Sequence, residues 1–159
     1  MVSVRAPYIA VVGPGDATAE QEHDAEVVGG ELAAAGALVV CGGLGGVMAA
    51  ACRGAQAAGG LTVGLLPGHD RSAANAWVTV AVATGMGELR NGLVVRASDG
   101  VAAVGGGFGT LSEIALALKL GRPVVGLGTW DIAAPVARVD DPQAAARRVL
   151  QLVASPSQS

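Results

Sequence analysis

Short uncharged apolar runs recur along the chain, and several are cut off by glycine before a helix-like stretch begins. Tyr8-Ile9-Ala10-Val11-Val12 ends at Gly13-Pro14-Gly15-Asp16, Ala37 to Cys41 ends at Gly42-Gly43-Leu44-Gly45-Gly46, and Leu61 to Leu66 ends at Pro67-Gly68. Gly100 to Val104 runs into Gly105-Gly106-Gly107-Phe108-Gly109, and Pro123 to Leu127 completes the series. Such runs read as strands buried on both faces rather than half-exposed ones. Trp77 to Val82 reads as a further strand or an extended edge. Between the runs the pattern turns helical. Residues 18–35 open with Thr18 and Gln21 in capping-box spacing and close at Gly36. Helices are also predicted over 47–58, 88–97 and 110–120, and from Asp141-Pro142, an N-cap residue followed by a first-turn proline. Alternating strands and helices predict an α/β fold of Rossmann-like type. This is a three-layer sandwich whose mostly parallel sheet of six or seven strands is flanked by helices. It should form a single domain over residues 1–154, with 155–159 as a frayed tail.

Composition narrows the partners. Hydrophobic residues make up 52% and charged residues 14%, so much of the chain must be inside something. The 25 glycines fall in clusters rather than in a repeat, which calls for tight turns and not a collagenous or disordered chain. Aromatic residues are only 3%, so the core rests on Ala, Val and Leu. Small side chains bury little area each, and a homodimer or higher homo-oligomer is expected to add what they lack. The net charge is −3 with scattered basic residues, which predicts neither nucleic-acid nor membrane-surface binding. Residues 1–7 lack a signal-peptide layout, so a cytoplasmic location is expected. Leu32 to Cys52 is uncharged and long enough to span a bilayer. Its glycines and alanines fit a strand, a loop and a helix better. Cys41 and Cys52 lie in apolar stretches and read as buried thiols in a reducing compartment. No metal site and no required cofactor are expected.

The glycine loops carry the functional signal. In Gly105 to Thr110, glycine lets a phosphate approach the backbone, and the first amides of the following helix point at it with the field of the helix dipole. Gly106, Gly107, Phe108, Gly109 and Thr110 are therefore candidate phosphate-binding residues, with Gly13, Gly42, Gly43 and Gly45 in the earlier loops. A dinucleotide fits poorly. The first loop lacks the third glycine of G-x-G-x-x-G, and Cys41-Gly42 stand where an acidic residue is expected. There is no G-x-x-x-x-G-K-[ST] loop, and Lys119 is the single lysine.

The segment from Arg90-Asn91 through Ser98-Asp99 to Gly105-Gly106-Gly107-Phe108-Gly109-Thr110-Leu111-Ser112-Glu113 is more distinctive than any one loop. It resembles the Lonely-Guy family of phosphoribohydrolases, whose signature is P-G-G-x-G-T-x-x-E preceded by an arginine. The arginine, aspartate and glutamate fall at matching separations. Cys41 to Met48 is similar to that family's second glycine loop, one residue shorter, and the likeness covers about residues 8–128. Two positions depart: Gly105 replaces the signature proline, and Asn91 replaces the lysine that follows the arginine. In these the chain looks more like the molybdenum-cofactor carrier proteins and relatives labelled lysine decarboxylases. Pyridoxal phosphate chemistry does not suit a chain whose single lysine lies inside a helix.

The resemblance implies a nucleoside 5′-monophosphate or similar phosphorylated small molecule as ligand. It further implies catalytic roles for Arg90 and Glu113, if the N-glycosidic bond is hydrolysed; the alternative is a non-catalytic carrier of molybdenum cofactor or another phosphorylated ligand. Plainer readings stand beside these. Thr110 and Glu113 also have capping-box spacing, Arg90 could be a solvated helix charge, and Asp99 a turn residue. Phe108 could cover its loop, Met48 and Trp77 could be core or interface, and His69 is not expected to reach a ligand.

Overall fold

The computed structural model describes residues 5–155. Strand β1 is Tyr8–Val12, helix α1 Ala19–Ala34, β2 Leu38–Cys41, α2 Val47–Ala57, β3 Thr62–Leu66 and β4 Val80–Ala83. Then follow α3 at Arg90–Arg96, β5 Gly100–Val104, α4 Phe108–Lys119, β6 Val124–Leu127, β7 Val136–Val139 and α5 Pro142–Ala154. All seven strands join one sheet in the order β4-β3-β2-β1-β5-β6-β7, and every pair is parallel. The chain starts mid-sheet, steps out to β4, then crosses back to lay β5 beside β1. Ile9 pairs with Val39 on one side and with Gly100 on the other. The strand order thus reverses between β1 and β5, and a crevice opens beyond their carboxyl ends.

The unbroken apolar runs are explained by two cores. Ile9 and Val11 turn to a layer containing Ala25, Leu32, Ala51 and Val149, while Ala10 and Val12 turn to one containing Val94, Val95, Ile114 and Ala117. With helices on both faces, neither side of a central strand meets water. Helices α1 and α2 approach so closely that a Cβ on Gly29 would lie 2.0 Å from the Ala51 carbonyl oxygen, and one on Gly54 would lie 1.9 Å from that of Glu26. The predicted capping box forms: Thr18 Oγ1 accepts from the Gln21 amide at 3.2 Å, and Gln21 Oε1 accepts from the Thr18 amide at 3.0 Å.

Several boundaries differ from the sequence reading. Helix α4 begins at Phe108, two residues before the predicted start. The fourth strand begins at Val80 rather than Trp77, because Thr62 Oγ1 donates to the Trp77 carbonyl at 2.8 Å and accepts from the Thr79 amide at 2.8 Å, drawing that segment into a loop. Strand β7 carries little strand signal in the sequence, because Arg138 interrupts its apolar run. Cys41 and Cys52 are free, buried thiols with sulfurs 3.4 Å apart. Trp77 is half-buried with Arg53 stacked on its ring at 5.2 Å. Among the described residues, no helix is long and apolar enough to cross a membrane. Residues 156–159, most of the expected tail, lie outside the described residues.

Candidate functional site

A cleft of about 290 Å³ occupies the switch point. Gly13, Pro14 and Gly15, the turn after β1, form one side; Gly107, Gly109 and Thr110, the start of α4, form another. Arg90 and Asn91 from α3 and Met48 from α2 close the third, and Glu113 reaches in from one turn further along α4. Gly13 must be glycine for the turn to sit so low, since a Cβ there would lie 2.3 Å from the Val104 carbonyl oxygen at the end of β5. A larger groove of about 880 Å³ lies at the opposite end of the sheet, between Tyr8, Leu38, Asp99 and Val153. Asp99 is already engaged there, accepting from the Tyr8 amide at 2.8 Å. The smaller cleft is the chemically equipped one, because it sits at the carboxyl ends of the strands and gathers a helix start, a guanidinium and a carboxyl.

Arg90 is buried and fully directed by its neighbours. Its Nε donates to the Leu65 carbonyl at 2.8 Å, its Nη2 to the Gly42 carbonyl at 3.3 Å and its Nη1 to Asn91 Oδ1. It thereby ties α3 to the ends of β2 and β3, and the solvated-charge reading is corrected. Gly42 leaves the room for this, since a Cβ there would lie 2.7 Å from Arg90 Nη2. Glu113 is 8% exposed, and no hydrogen bond to its carboxyl is found among the described residues. Burial pushes it up to about 7, with the Arg90 charge pulling the other way.

The Thr110–Glu113 capping box does not form. Thr110 is the third residue of α4, and its Oγ1 accepts from the Gly107 amide at 3.4 Å; Gly107 itself is the N-cap. Glu113 therefore stands one turn too deep to cap anything. The first amide of the helix with a main-chain partner is that of Leu111, bonded to the Gly107 carbonyl at 3.0 Å. The amides of Phe108, Gly109 and Thr110 have no partner among the described residues.

Of the residues predicted from sequence, Arg90, Glu113, Gly13, Gly107, Gly109 and Thr110 come together at the cleft, whereas Gly42, Gly43, Gly45, Gly106 and Phe108 do not line it. Gly42 lies behind Arg90, and the Gly43 carbonyl holds the Asn75 amide at 2.9 Å. Gly106 lies under Trp130, where a Cβ would be 2.8 Å from the indole. Phe108 is 82% exposed with its ring 5.7 Å from that of Trp130. Trp130 Nε1 donates to the Gly107 carbonyl at 2.9 Å, bracing the glycine loop from the segment after β6. The sequence reading gave Pro14, Gly15, Met48, Asn91 and Trp130 no place at the site. Pro14 and Gly15 stand in the first glycine loop, Met48 ends the second and Asn91 follows Arg90, whereas Trp130 carried no local signal. Among the described residues no group of three His, Cys, Asp or Glu side chains is placed to hold a metal ion.

Known proteins share the fold and part of the sequence. A protein of Archaeoglobus fulgidus described as uncharacterized is 44% identical over 119 residues, which is 75% of this chain and 78% of that one. Two solved structures overlay nearly the whole fold. The molybdenum cofactor binding protein of the phototrophic bacterium Rippkaea orientalis is 35% identical, with a TM-score of 0.88 over 96% of this chain and 100% of that one. The molybdenum cofactor carrier protein of Chlamydomonas reinhardtii is 37% identical, with a TM-score of 0.87 over 95% of this chain and 100% of that one. The model of the SLOG cluster4 family matches residues 6–158. This chain belongs to the SLOG cluster4 family.

Proposed function

We propose that the chain is a carrier for a phosphorylated small molecule of the molybdenum-cofactor type, seated in the cleft between β1 and β5 with its phosphate on the first turn of α4. The observation that carries the reading is the pair of amides at Gly109 and Thr110, without partners among the described residues, in the wall of a cleft at the topological switch point. Amides in that position, with the helix dipole behind them, favour an anion. The likeness to a molybdenum cofactor binding protein and a carrier over at least 95% of this chain supports a carrier. A homo-oligomer is part of the proposal, since β4 and the turn after it expose Val80, Val82, Met86 and Leu89.

One observation favours a second reading. The Glu113 carboxyl, pushed up to about 7 and free of hydrogen bonds among the described residues, faces the same cleft. With a nucleoside 5′-monophosphate held by its phosphate, this group could steady an oxocarbenium-like sugar and steer water to C1′. The glycosidic bond breaks as water adds, a proton goes to the departing base, and ribose 5-phosphate remains.

The two readings separate in one experiment. Purified protein is incubated with AMP while free adenine is followed by chromatography, and melting temperature is read with AMP and with a pterin phosphate. The carrier reading expects no adenine and a raised melting temperature with the pterin phosphate. Adenine released by the wild type and not by Glu113→Gln transfers the chain to hydrolysis. No shift with either compound removes the phosphate-binding reading.

A further inference from the structure

Asn91 is half-buried in the cleft wall, next to Arg90 at the start of α3. Arg90 Nη1 donates to its Oδ1. A guanidinium has five donors and no acceptor, so it can face only the oxygen end of a carboxamide. The amide is thereby fixed end for end, with Nδ2 turned away from Arg90. Nδ2 lies 3.7 Å from where a Cβ on Gly109 would stand, and apart from the chain neighbours and the backbone of α4 itself it is the one atom within 4 Å among the described residues. Among the described residues Nδ2 has no acceptor, and neither has the Gly109 amide. The Asn91 carboxamide and the Gly109 amide thus line one cleft, with Nδ2 beside the room that the missing side chain of Gly109 leaves.

Resting on the phosphate-binding reading, we propose that Asn91 is a ligand-binding residue whose Nδ2 donates to an oxygen of the bound anion, sharing that anion with the Gly109 amide. Arg90 acts at one remove. Its hydrogen bond to Oδ1 polarises the carboxamide and strengthens the N–H donors on the far side. The anion meets neutral donors directly, and the one guanidinium charge reaches it through Asn91. This suits a phosphate monoester, whose several oxygens can take the Gly109 and Asn91 donors together.

The test separates ligand contact from mere support of Arg90. Asn91→Asp keeps an acceptor for Arg90 but removes both N–H donors and adds a negative charge; Asn91→Ala removes acceptor and donors alike. Binding of inorganic phosphate and of AMP is measured by calorimetric titration, with circular dichroism as the check on folding. The expected result is binding weakened about a hundredfold in Asn91→Asp and about tenfold in Asn91→Ala, as for hydrogen bonds to a charged group. Wild-type affinity in Asn91→Asp with weakened binding in Asn91→Ala would show that the residue only supports Arg90, and overturns the proposal. A readout independent of any variant is the Asn91 side-chain amide in nuclear magnetic resonance. Its protons should move downfield as phosphate is added, and no movement also overturns the proposal. Failure of the wild type to bind either compound overturns the phosphate-binding reading itself, and this inference with it.

Discussion

Arg90 and Glu113 face one cleft from two helices, yet no hydrogen bond joins them. The guanidinium is held by the Leu65 and Gly42 carbonyls and by Asn91, and the carboxyl stays buried without a hydrogen-bond partner among the described residues. A paired carboxylate would have been driven below its usual range. This one is raised, because burial outweighs the neighbouring charge.

That imbalance has a pH signature. Glu113 moves from an ordinary 4.5 to about 7 on folding, so between those values the folded chain holds a proton that the unfolded chain has released. Stability from this group is present below pH 4.5 and is lost as pH rises towards 7. Glu113→Gln removes the effect. Relative to wild type, the variant should gain about 3 kcal/mol between pH 4.5 and pH 8, taken from the shift as an order of magnitude. Urea denaturation of both proteins at the two pH values checks it, and parallel pH profiles would contradict it.

Arg90→Ala strips donors from the Leu65 and Gly42 carbonyls at once. Leaving those buried acceptors unmet should cost about 3 kcal/mol of unfolding free energy. Arg90→Lys should recover little, because an ammonium cannot span the same three acceptors as a planar fork. Urea midpoints for the two variants are the measurement, and near-wild-type stability in either would show that the carbonyls find other donors.

Gly109→Ala should raise stability and lower ligand affinity together. Alanine in place of glycine stabilises a helix by up to about 1 kcal/mol. Its Cβ would lie 3.7 Å from Asn91 Nδ2, an ordinary contact in the folded protein that narrows the gap where the anion is proposed to sit. A higher melting temperature with weaker phosphate binding is the expected pair of results; unchanged affinity would place the anion elsewhere.

Trp130→Phe removes the indole donor from the Gly107 carbonyl but keeps a ring beside Phe108. The expected loss is about 1 kcal/mol, the net worth of one hydrogen bond. Hydrogen exchange at the Gly105 and Gly107 amides, bonded to the Leu127 carbonyl and to Thr110 Oγ1, should quicken, which a purely local packing change at Trp130 would not produce.

Much of this was legible in the sequence for one reason: strands buried on both faces are written as unbroken apolar runs, and glycine marks where each must end. Ile9 to Val12, Val39 to Cys41 and Val101 to Val104 follow that rule. It weakens at the sheet edges, where β4 alternates exposed and half-buried residues and Arg138 breaks the apolar run of β7. At the site, the spacing from Arg90 to Glu113 announced two residues that the fold brings to one cleft. The division of labour among the glycines was not legible. Gly42 and Gly107 look alike in sequence, yet one makes room for Arg90 while the other opens on the cleft. Trp130 lay outside any readable pattern, because its contact with Gly107 depends on where β6 delivers the chain.

The central claim is that the cleft at the start of α4 holds a phosphorylated ligand, and Gly107→Val tests it most directly. Gly107 has a φ of −110°, open to any residue, and a Cβ there would meet nothing within 4 Å. The variant should fold at a cost of about 1 kcal/mol for a poorer N-cap, with a branched side chain standing in the cleft. Equilibrium dialysis of wild type and variant against the molybdenum cofactor is the measurement. The prediction is saturable retention by the wild type and none by Gly107→Val; equal retention by the two proteins, or none by the wild type, would contradict it.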